Sequence, residues 1–410
     1  MTRASPPRSI GPILAPGLSV IGLIIVALIT LSLINGNVPF TGGSTGAGGG
    51  NGDGNGDGGD PGVVAETPAP SNVVIVPDDV VTIPGSILYA KAGNIWVQSG
   101  KSAHQVTTGG SDSMPSWSPD GTSIFFIRTT EDVGRWPSGG VLREYQMSVP
   151  SVMQVASDGS GNARKVVNGK VNIGGQTWHA WIREPVLSPD GHTLAMVSDR
   201  PNPSRSNVVL QFYDIDSGKS KVPTLPETPP LGHQDPSWRP DGKFLLYVRN
   251  GRNGTKGAPV IYRWDAAKAQ AKVFTTPGYL EPAYSPDGRF VAATKTSSFG
   301  NDIVILDATT GRELKRVTDD GASWAPVWSP LGDSIAFLHL RGQIVDLKLA
   351  QLEGEAPDWS VKDIMDLTEV SGLDGESRPG WFVPADQLPT PTPAPTPAAD
   401  SAPSASAAAP

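Results

Sequence analysis

Five histidines, and carboxylates standing directly before recurring prolines, are the residues of this chain with the means to do chemistry. Glu184, Asp235 and Glu281 each precede a proline, with His179 and His233 a few positions upstream of the first two. Imidazole and carboxylate together can bind a divalent metal or share acid and base roles. The spacing argues against both, because the chain holds no H-x-H or HExxH and the two histidines fall in different repeats. Aromatic and arginine side chains crowd the same short segments, and these are the usual anchors of protein and peptide interfaces. A binding surface is therefore the expected use, with hydrogen bonding between repeats as the plainer role for the same groups. No catalytic residue, metal or cofactor is expected. His104, His192 and His339 fall in or beside strands and turns and read as structural.

A second carboxylate series is more regular and less chemical. The chain repeats PSWSPDG at 115–121, PVLSPDG at 185–191, PSWRPDG at 236–242 and PAYSPDG at 282–288, with PVWSPLG at 326–332. Proline presets φ for a turn, Asp bonds the following backbone, and Gly accepts positive φ. Apolar runs follow each copy, at 124–127, 194–197, 244–248, 290–293 and 335–338, so the turn joins two strands of a hairpin. Asp120, Asp190, Asp241 and Asp287 are thus turn formers, and Leu331 shows that one copy dispenses with the carboxylate.

The copies are spaced by 70, 51, 46 and 44 residues, a period that suits four-stranded propeller blades. The first interval carries an insertion near Thr129–Val149. Ser377–Pro384 (SRPGWFVP) reads as the first half of a sixth copy, with Trp381 in the aromatic place, and Ser86–Ala90 (SILYA) reads as its second half. Joined, they make one blade and close a ring, which removes the exposed sheet edges that an open array would leave. The expected fold is all-β: a six-bladed propeller over 86–384, at about 50 residues per blade. Loops on one face of such a ring surround its channel. The segments ahead of each repeat bring Trp178, His179, Trp181, Arg183, Glu184, His233, Asp235, Tyr279, Glu281, Trp324, Glu376 and Arg378 towards that mouth as binding candidates.

The flanks differ in composition. Residues 1–9 carry Arg3 and Arg8, and 10–34 hold no charge, which suits one membrane-spanning signal-anchor helix. No small-x-small cleavage site follows it. Basic residues precede the helix and the next is Lys91, so the N-terminus is expected in the cytoplasm and the propeller outside it. Residues 35–85 read as a Gly-rich linker and 385–410 as a disordered Pro/Ala/Thr/Ser tail. In the linker, GGSTG at 42–46 lacks the strand and helix that a nucleophile elbow needs. Asp53, Asn55 and Asp57 match half a calcium loop, but Val64 stands where its Glu belongs. Asn253-Gly254-Thr255 matches a glycosylation acceptor. The chain has no cysteine, which excludes disulfides, thiolate metal sites and a lipid-anchor cysteine. A net charge of −8 without basic runs disfavours nucleic acid.

The PxWSPDGxxIxF pattern, carried by the five copies above, resembles the WD40-like propeller repeats of TolB-type proteins. The resemblance spans about three-quarters of the chain. It implies a monomeric six-bladed propeller that meets a protein or peptide partner at the cell envelope. Similar repeats also occur in propeller lyases and in the propeller domains of peptidases, so a carbohydrate-active or hydrolytic enzyme with its site at the channel mouth is the alternative. The chain departs from TolB in lacking a recognisable extra domain ahead of the propeller, and from the peptidases in lacking a recognisable α/β-hydrolase domain.

Overall fold

The computed structural model describes residues 73–75, 81–138, 141–203, 207–226, 232–250, 258–369 and 371–388. They form six antiparallel sheets arranged in a ring, with a small accessory hairpin. From the channel outward, blade 1 is Asp112–Trp117, Ser123–Ser138, Val141–Ala156 and Arg164–Val167. Blade 2 is Ile182–Leu187, Thr193–Ser198, Val209–Asp214 and Lys219–Lys221. Blade 3 is His233–Trp238, Phe244–Arg249, Val260–Asp265 and Gln270–Val273. Blade 4 is Tyr279–Tyr284, Phe290–Ser297, Gly300–Asp307 and Glu313–Arg316. Blade 5 is Ser323–Trp328, Ser334–Arg341, Ile344–Glu353 and Ser360–Asp366. Blade 6 joins Gly380–Phe382 to Ser86–Lys91, Asn94–Ser99 and Ser102–Gln105.

The ring closes where the two half-repeats predict. Ile87 pairs with Trp381 and Leu88 with Gly380. Apolar side chains from facing sheets fill each of the six interfaces between neighbouring blades. At the closing interface Ile87 and Trp381 of blade 6 pack with Leu338 and Leu347 of blade 5. On the other side Leu88 and Ile95 pack with Ile124 and Phe126 of blade 1. Each large apolar side chain buried in this way contributes about 1.5–3 kcal/mol.

The proline-glycine turns lie on the face opposite the channel mouth. Ser118 Oγ donates to Asp120 at 2.6 Å, and Asp120 accepts the Thr122 N–H at 3.1 Å. Ser285 and Asp287 repeat the arrangement at 2.6 Å. These bonds hold the Asp120 carboxyl below its ordinary range, with the Ser118 hydroxyl first among the causes. The copy with Leu331 keeps the main-chain turn, Gly332 N–H to Ser329 O at 2.8 Å. The Asp series is therefore structural.

Three segments differ from expectation. The insertion in blade 1 is an extension of a hairpin, paired in unbroken register from Ser123↔Ala156 to Ser138↔Val141. Its outer ten residue pairs, from Thr129↔Pro150, make an arm about 30 Å long. Part of the expected linker is strand: Val73–Ile75 pairs with Ser102–Gln105 as a fifth strand of blade 6. Ile83, also within the expected linker, is buried against blades 5 and 6. At the other end, Ala385–Gln387 forms a 3-10 turn at the start of the expected tail. The expected membrane helix, the GGSTG and Asp53–Asp57 segments and the Asn253 acceptor lie outside the described residues. Among the described residues, no helix is long and apolar enough to cross a membrane.

Candidate functional site at the channel

The first strand of each of blades 1 to 5 bends at one place. Met114, Glu184, Asp235, Glu281 and Ala325 each stand before a proline, and each has positive φ, between 50° and 55°. The register shifts at the same positions in all five strands. A left-handed non-glycine residue costs on the order of 1–3 kcal/mol and persists only where its surroundings fix it. A bulge of this kind re-aims a backbone N–H and a side chain.

Here both are re-aimed toward the neighbouring blade. The Asp235 N–H donates to Glu184 Oε2. The Glu281 N–H donates to Asp235 Oδ2 at 3.0 Å, and the Ala325 N–H to Glu281 Oε2 at 2.8 Å. Thr294 Oγ adds a second donor to Glu281 at 2.6 Å. Three carboxylates thus link blades 2, 3, 4 and 5 in series around the channel. Between blades 6 and 1 a hydroxyl does the same work, with the Met114 N–H donating to Ser377 Oγ at 2.8 Å. Arg378 occupies the equivalent position in blade 6 and donates from Nη2 to the Pro282 carbonyl of blade 4 at 2.8 Å.

The electrostatics follow from the crowding. Burial, then the Asp235 charge, pushes the Glu184 carboxyl up to about 7. The same two causes push Glu281 up to about 7. Burial also raises Asp235, while Arg378 and Arg183 oppose the rise. Arg183 lies 3.7 Å from Glu184 Oε1 and 3.5 Å from Glu376 Oε2, so it bridges the buried ring and the rim.

The structure brings six of the twelve candidates together here: Arg183, Glu184, Asp235, Glu281, Glu376 and Arg378. Trp324 stands beside them and donates from Nε1 to Gly375 O at 2.9 Å. Trp181 is 60% exposed at the rim, its N–H held at 2.9 Å by the buried carboxylate of Asp199. The other four point elsewhere. His233 is buried, accepts the Leu210 N–H on Nδ1 at 3.2 Å and packs edge-on to Tyr247. Tyr279 is buried and donates to Glu313 at 2.8 Å along its own blade.

Trp178 and His179 belong to the accessory hairpin, Lys170–Ile173 paired with Gln176–His179. There His179 Nε2 meets Asp132 of the blade 1 arm at 2.8 Å, and Lys170 Nζ meets the same carboxylate at 2.7 Å. Asp132 is held down at about 2, with Lys170 first and His179 second among the causes. Among the described residues no group of three or more His, Asp or Glu is placed to hold a metal.

Two features of this face escaped the sequence. Phe299 is 92% exposed at the turn between the second and third strands of blade 4, on the rim side. Its exposure follows from the short turn over Gly300, a glycine with φ of 120°. Ser377 reads in sequence only as a residue two before a proline, and its partner Met114 is 263 positions away.

The propeller is TolB-like. Its structural neighbours include TolB from Acinetobacter baumannii, 19% identical with a TM-score of 0.52, covering 75% of this chain and 68% of that one. A putative TolB from Agrobacterium tumefaciens is 18% identical with a TM-score of 0.50, covering 75% of this chain and 96% of the other. At these identities the likeness is one of fold. No protein-family model matches the chain. An uncharacterized protein of Agrobacterium fabrum is 29% identical over 141 residues, 34% of this chain and 45% of that protein. The chain thus spans less than half the length of that curated relative.

Proposed function

We propose that this TolB-like propeller is a scaffold at the cell envelope that binds a protein or peptide partner at its channel mouth. The observation that carries the reading is an exposed Trp181, its main-chain N–H held by Asp199, two residues from Arg183, whose guanidinium reaches Glu376 at the channel rim. Tryptophan and arginine are among the side chains from which interfaces draw most of their affinity. Phe299, on the same face, adds exposed apolar surface. The two TolB neighbours support the envelope setting.

The uncharged stretch at 10–34 supports a single N-terminal membrane anchor, with residues 1–9 in the cytoplasm and the propeller outside it. We take the propeller to act as a monomer, since its ring closes within one chain through the pairing of Ser86–Leu88 with Gly380–Phe382.

The geometry supports binding over catalysis. The three channel carboxylates each accept a main-chain N–H of the next blade on one oxygen, so each is in part a member of the frame.

Cross-linking in intact cells, followed by purification of the full chain, tests the proposal. The partner recovered with the native chain is expected to fall at least tenfold with the double variant Trp181→Ala/Arg183→Ala, and to fall also with Trp181→Ala alone, which leaves the charges around Glu184 in place and thermal stability unchanged. Equal recovery from native and variant chains rejects this face. Digestion by protease added to intact cells checks the topology, and a propeller that stays protected rejects export.

A further inference from the structure

The turn face, opposite the channel mouth, carries a basic cavity of about 560 Å³ between blades 3, 4 and 5. Its cationic wall is Arg239, Arg263, Arg289 and Arg312, and its only acidic lining residue is Asp307. In a chain of net charge −8 this is a local reversal of sign.

Arg239 is an anomaly of the repeat. The other four copies have serine in its place: Ser118, Ser188, Ser285 and Ser329. In three of them the hydroxyl both donates to the turn Asp and accepts the N–H that opens the second strand, as Ser285 does from Phe290 at 3.0 Å. Blade 3 gives up that lock and gains a guanidinium. Its neighbour makes room, since a Cβ on Gly288 would lie 2.7 Å from Arg239 Nε.

Three carboxylates, Asp241, Asp287 and Asp307, offset part of this charge, and the arginines outnumber them. Arg263 donates from Nη1 only to the Ala308 and Thr309 carbonyls, at 2.9 and 3.2 Å. The nearest carboxylate to Arg239 is Asp241, at 3.7 Å. Arg289 is paired with Asp287 at 2.6 Å, while Arg312 makes no contact ion pair among the described residues and acts on Asp307 through space. Asp307 Oδ1 accepts the Thr309 N–H, the Thr310 N–H and the Thr310 hydroxyl, so this carboxylate is already engaged by its own turn. Arg239 and Arg263 both lie over the ring of Phe244, at 5.5 and 5.0 Å, which holds two like charges side by side. Fixed guanidiniums gathered in a concave site recognise oxyanions in forked geometry. Apolar side chains make up most of the remaining lining, among them Phe290, Leu314, Ala356 and Pro357, with Thr309 beside them. The volume falls in the range of small-molecule sites.

We propose that this cavity binds a small ligand joining an oxyanion head, phosphate or carboxylate, to a flat apolar body. The head sits between Arg239, Arg263 and Arg312, and the body against Phe290, Leu314 and Pro357. The site is independent of the partner-binding face.

Calorimetric titration of the full chain with phenyl phosphate and with benzoate, at fixed ionic strength, tests this. One-site saturable binding is expected for at least one of them, and the tighter of the two identifies the head. Inorganic phosphate is expected to bind at least tenfold more weakly. Arg312→Gln and Arg239→Ser are each expected to weaken binding at least fivefold. Arg239→Ser restores the serine of the other repeats, so it preserves the turn. Trp181→Ala/Arg183→Ala is expected to bind the probe unchanged, which separates this site from the mouth. The proposal is overturned by the absence of saturable binding for both aromatic probes, by wild-type affinity in both arginine variants, or by inorganic phosphate binding as tightly as phenyl phosphate.

Discussion

Ile87 and Trp381 face one another across the antiparallel pair that closes the ring, and Trp381 Nε1 donates to the Pro84 carbonyl at 2.9 Å. This contact couples the two ends of the propeller. It also extends the closure beyond the strands, because Pro84 precedes Ser86–Lys91 and so ties the entering chain to the leaving one.

Trp381→Ala is therefore expected to be among the most damaging single changes. It removes a buried indole from the interface with blade 5 and frees the Pro84 carbonyl. The expected loss is about 3–5 kcal/mol, the usual range for deleting a buried large aromatic. Urea unfolding measures it. A midpoint equal to that of the native chain would mean that the ring is held without this contact.

The channel carboxylates predict a stability that falls as pH rises. Glu184 and Glu281 are raised to about 7 by burial and by Asp235, and Asp235 is raised by burial. A raised carboxyl binds its proton more tightly in the folded than in the unfolded chain. Its contribution is fully present below the ordinary carboxylate range and is lost as pH climbs from there through about 7. Melting temperature is expected to be higher at pH 5 than at pH 8. Glu184→Gln is expected to flatten the difference, and a profile that rises over this interval contradicts the cluster.

Glu281 separates charge from hydrogen bonding. Its carboxylate accepts from the Ala325 N–H and from Thr294, and both donors are buried. Glu281→Ala removes the acceptor of the Thr294 hydroxyl and leaves the Ala325 N–H only its 3.1 Å bond to Thr294 Oγ, at about 1–3 kcal/mol for a buried group stranded. Both donors share Oε2, so Glu281→Gln with its amide oxygen in that place keeps their acceptor and removes the buried charge. The glutamine variant is expected to be clearly more stable than the alanine variant at pH 8. The order Ala above Gln would show that the Ala325 bulge does not need its acceptor.

The blade 1 arm is latched to the accessory hairpin through Asp132, His179 and Lys170. Asp132→Ala is expected to speed hydrogen exchange and protease cutting in the arm, leaving global unfolding unchanged. The exposure of Val133 and Tyr145 is consistent with an arm that contributes little to the core. Unaltered exchange at residues 129–149 would show that strand pairing alone holds it.

Much of this fold is legible in the sequence because the blade is a local unit. A proline-glycine turn, an aromatic before it and an apolar run after it fix one hairpin, and the period fixes the count. The composite blade is legible because each half keeps its pattern. The links around the channel are not legible, since they depend on backbone conformation: nothing in the letters states that Glu184, Asp235 and Glu281 adopt positive φ and aim at the next blade. His233 illustrates the limit in the other direction. It neighbours Asp235 in sequence, yet strand alternation and packing turn its ring onto Tyr247. The arm length was hidden because polar hairpin residues such as those at 129–149 read as an insertion of any shape.

The turn of blade 5 offers a gain of stability. In blades 1, 2 and 4 the turn Asp accepts the hydroxyl of the serine two residues before it, and that hydroxyl accepts the strand-opening N–H. Blade 5 keeps Ser329, fully buried, but has Leu331, whose N–H donates to Ser329 Oγ at 3.2 Å. Leu331→Asp supplies the missing acceptor in a turn whose Gly332 already holds φ at 76°. One net hydrogen bond contributes about 0.5–1.5 kcal/mol. Leu331 is only half-buried and belongs to none of the apolar clusters between blades, so little packing is lost in exchange. The variant is expected to unfold at a higher urea concentration than the native chain. A lower midpoint would mean that Leu331 contributes more by covering apolar surface than the turn carboxylate contributes in the other blades.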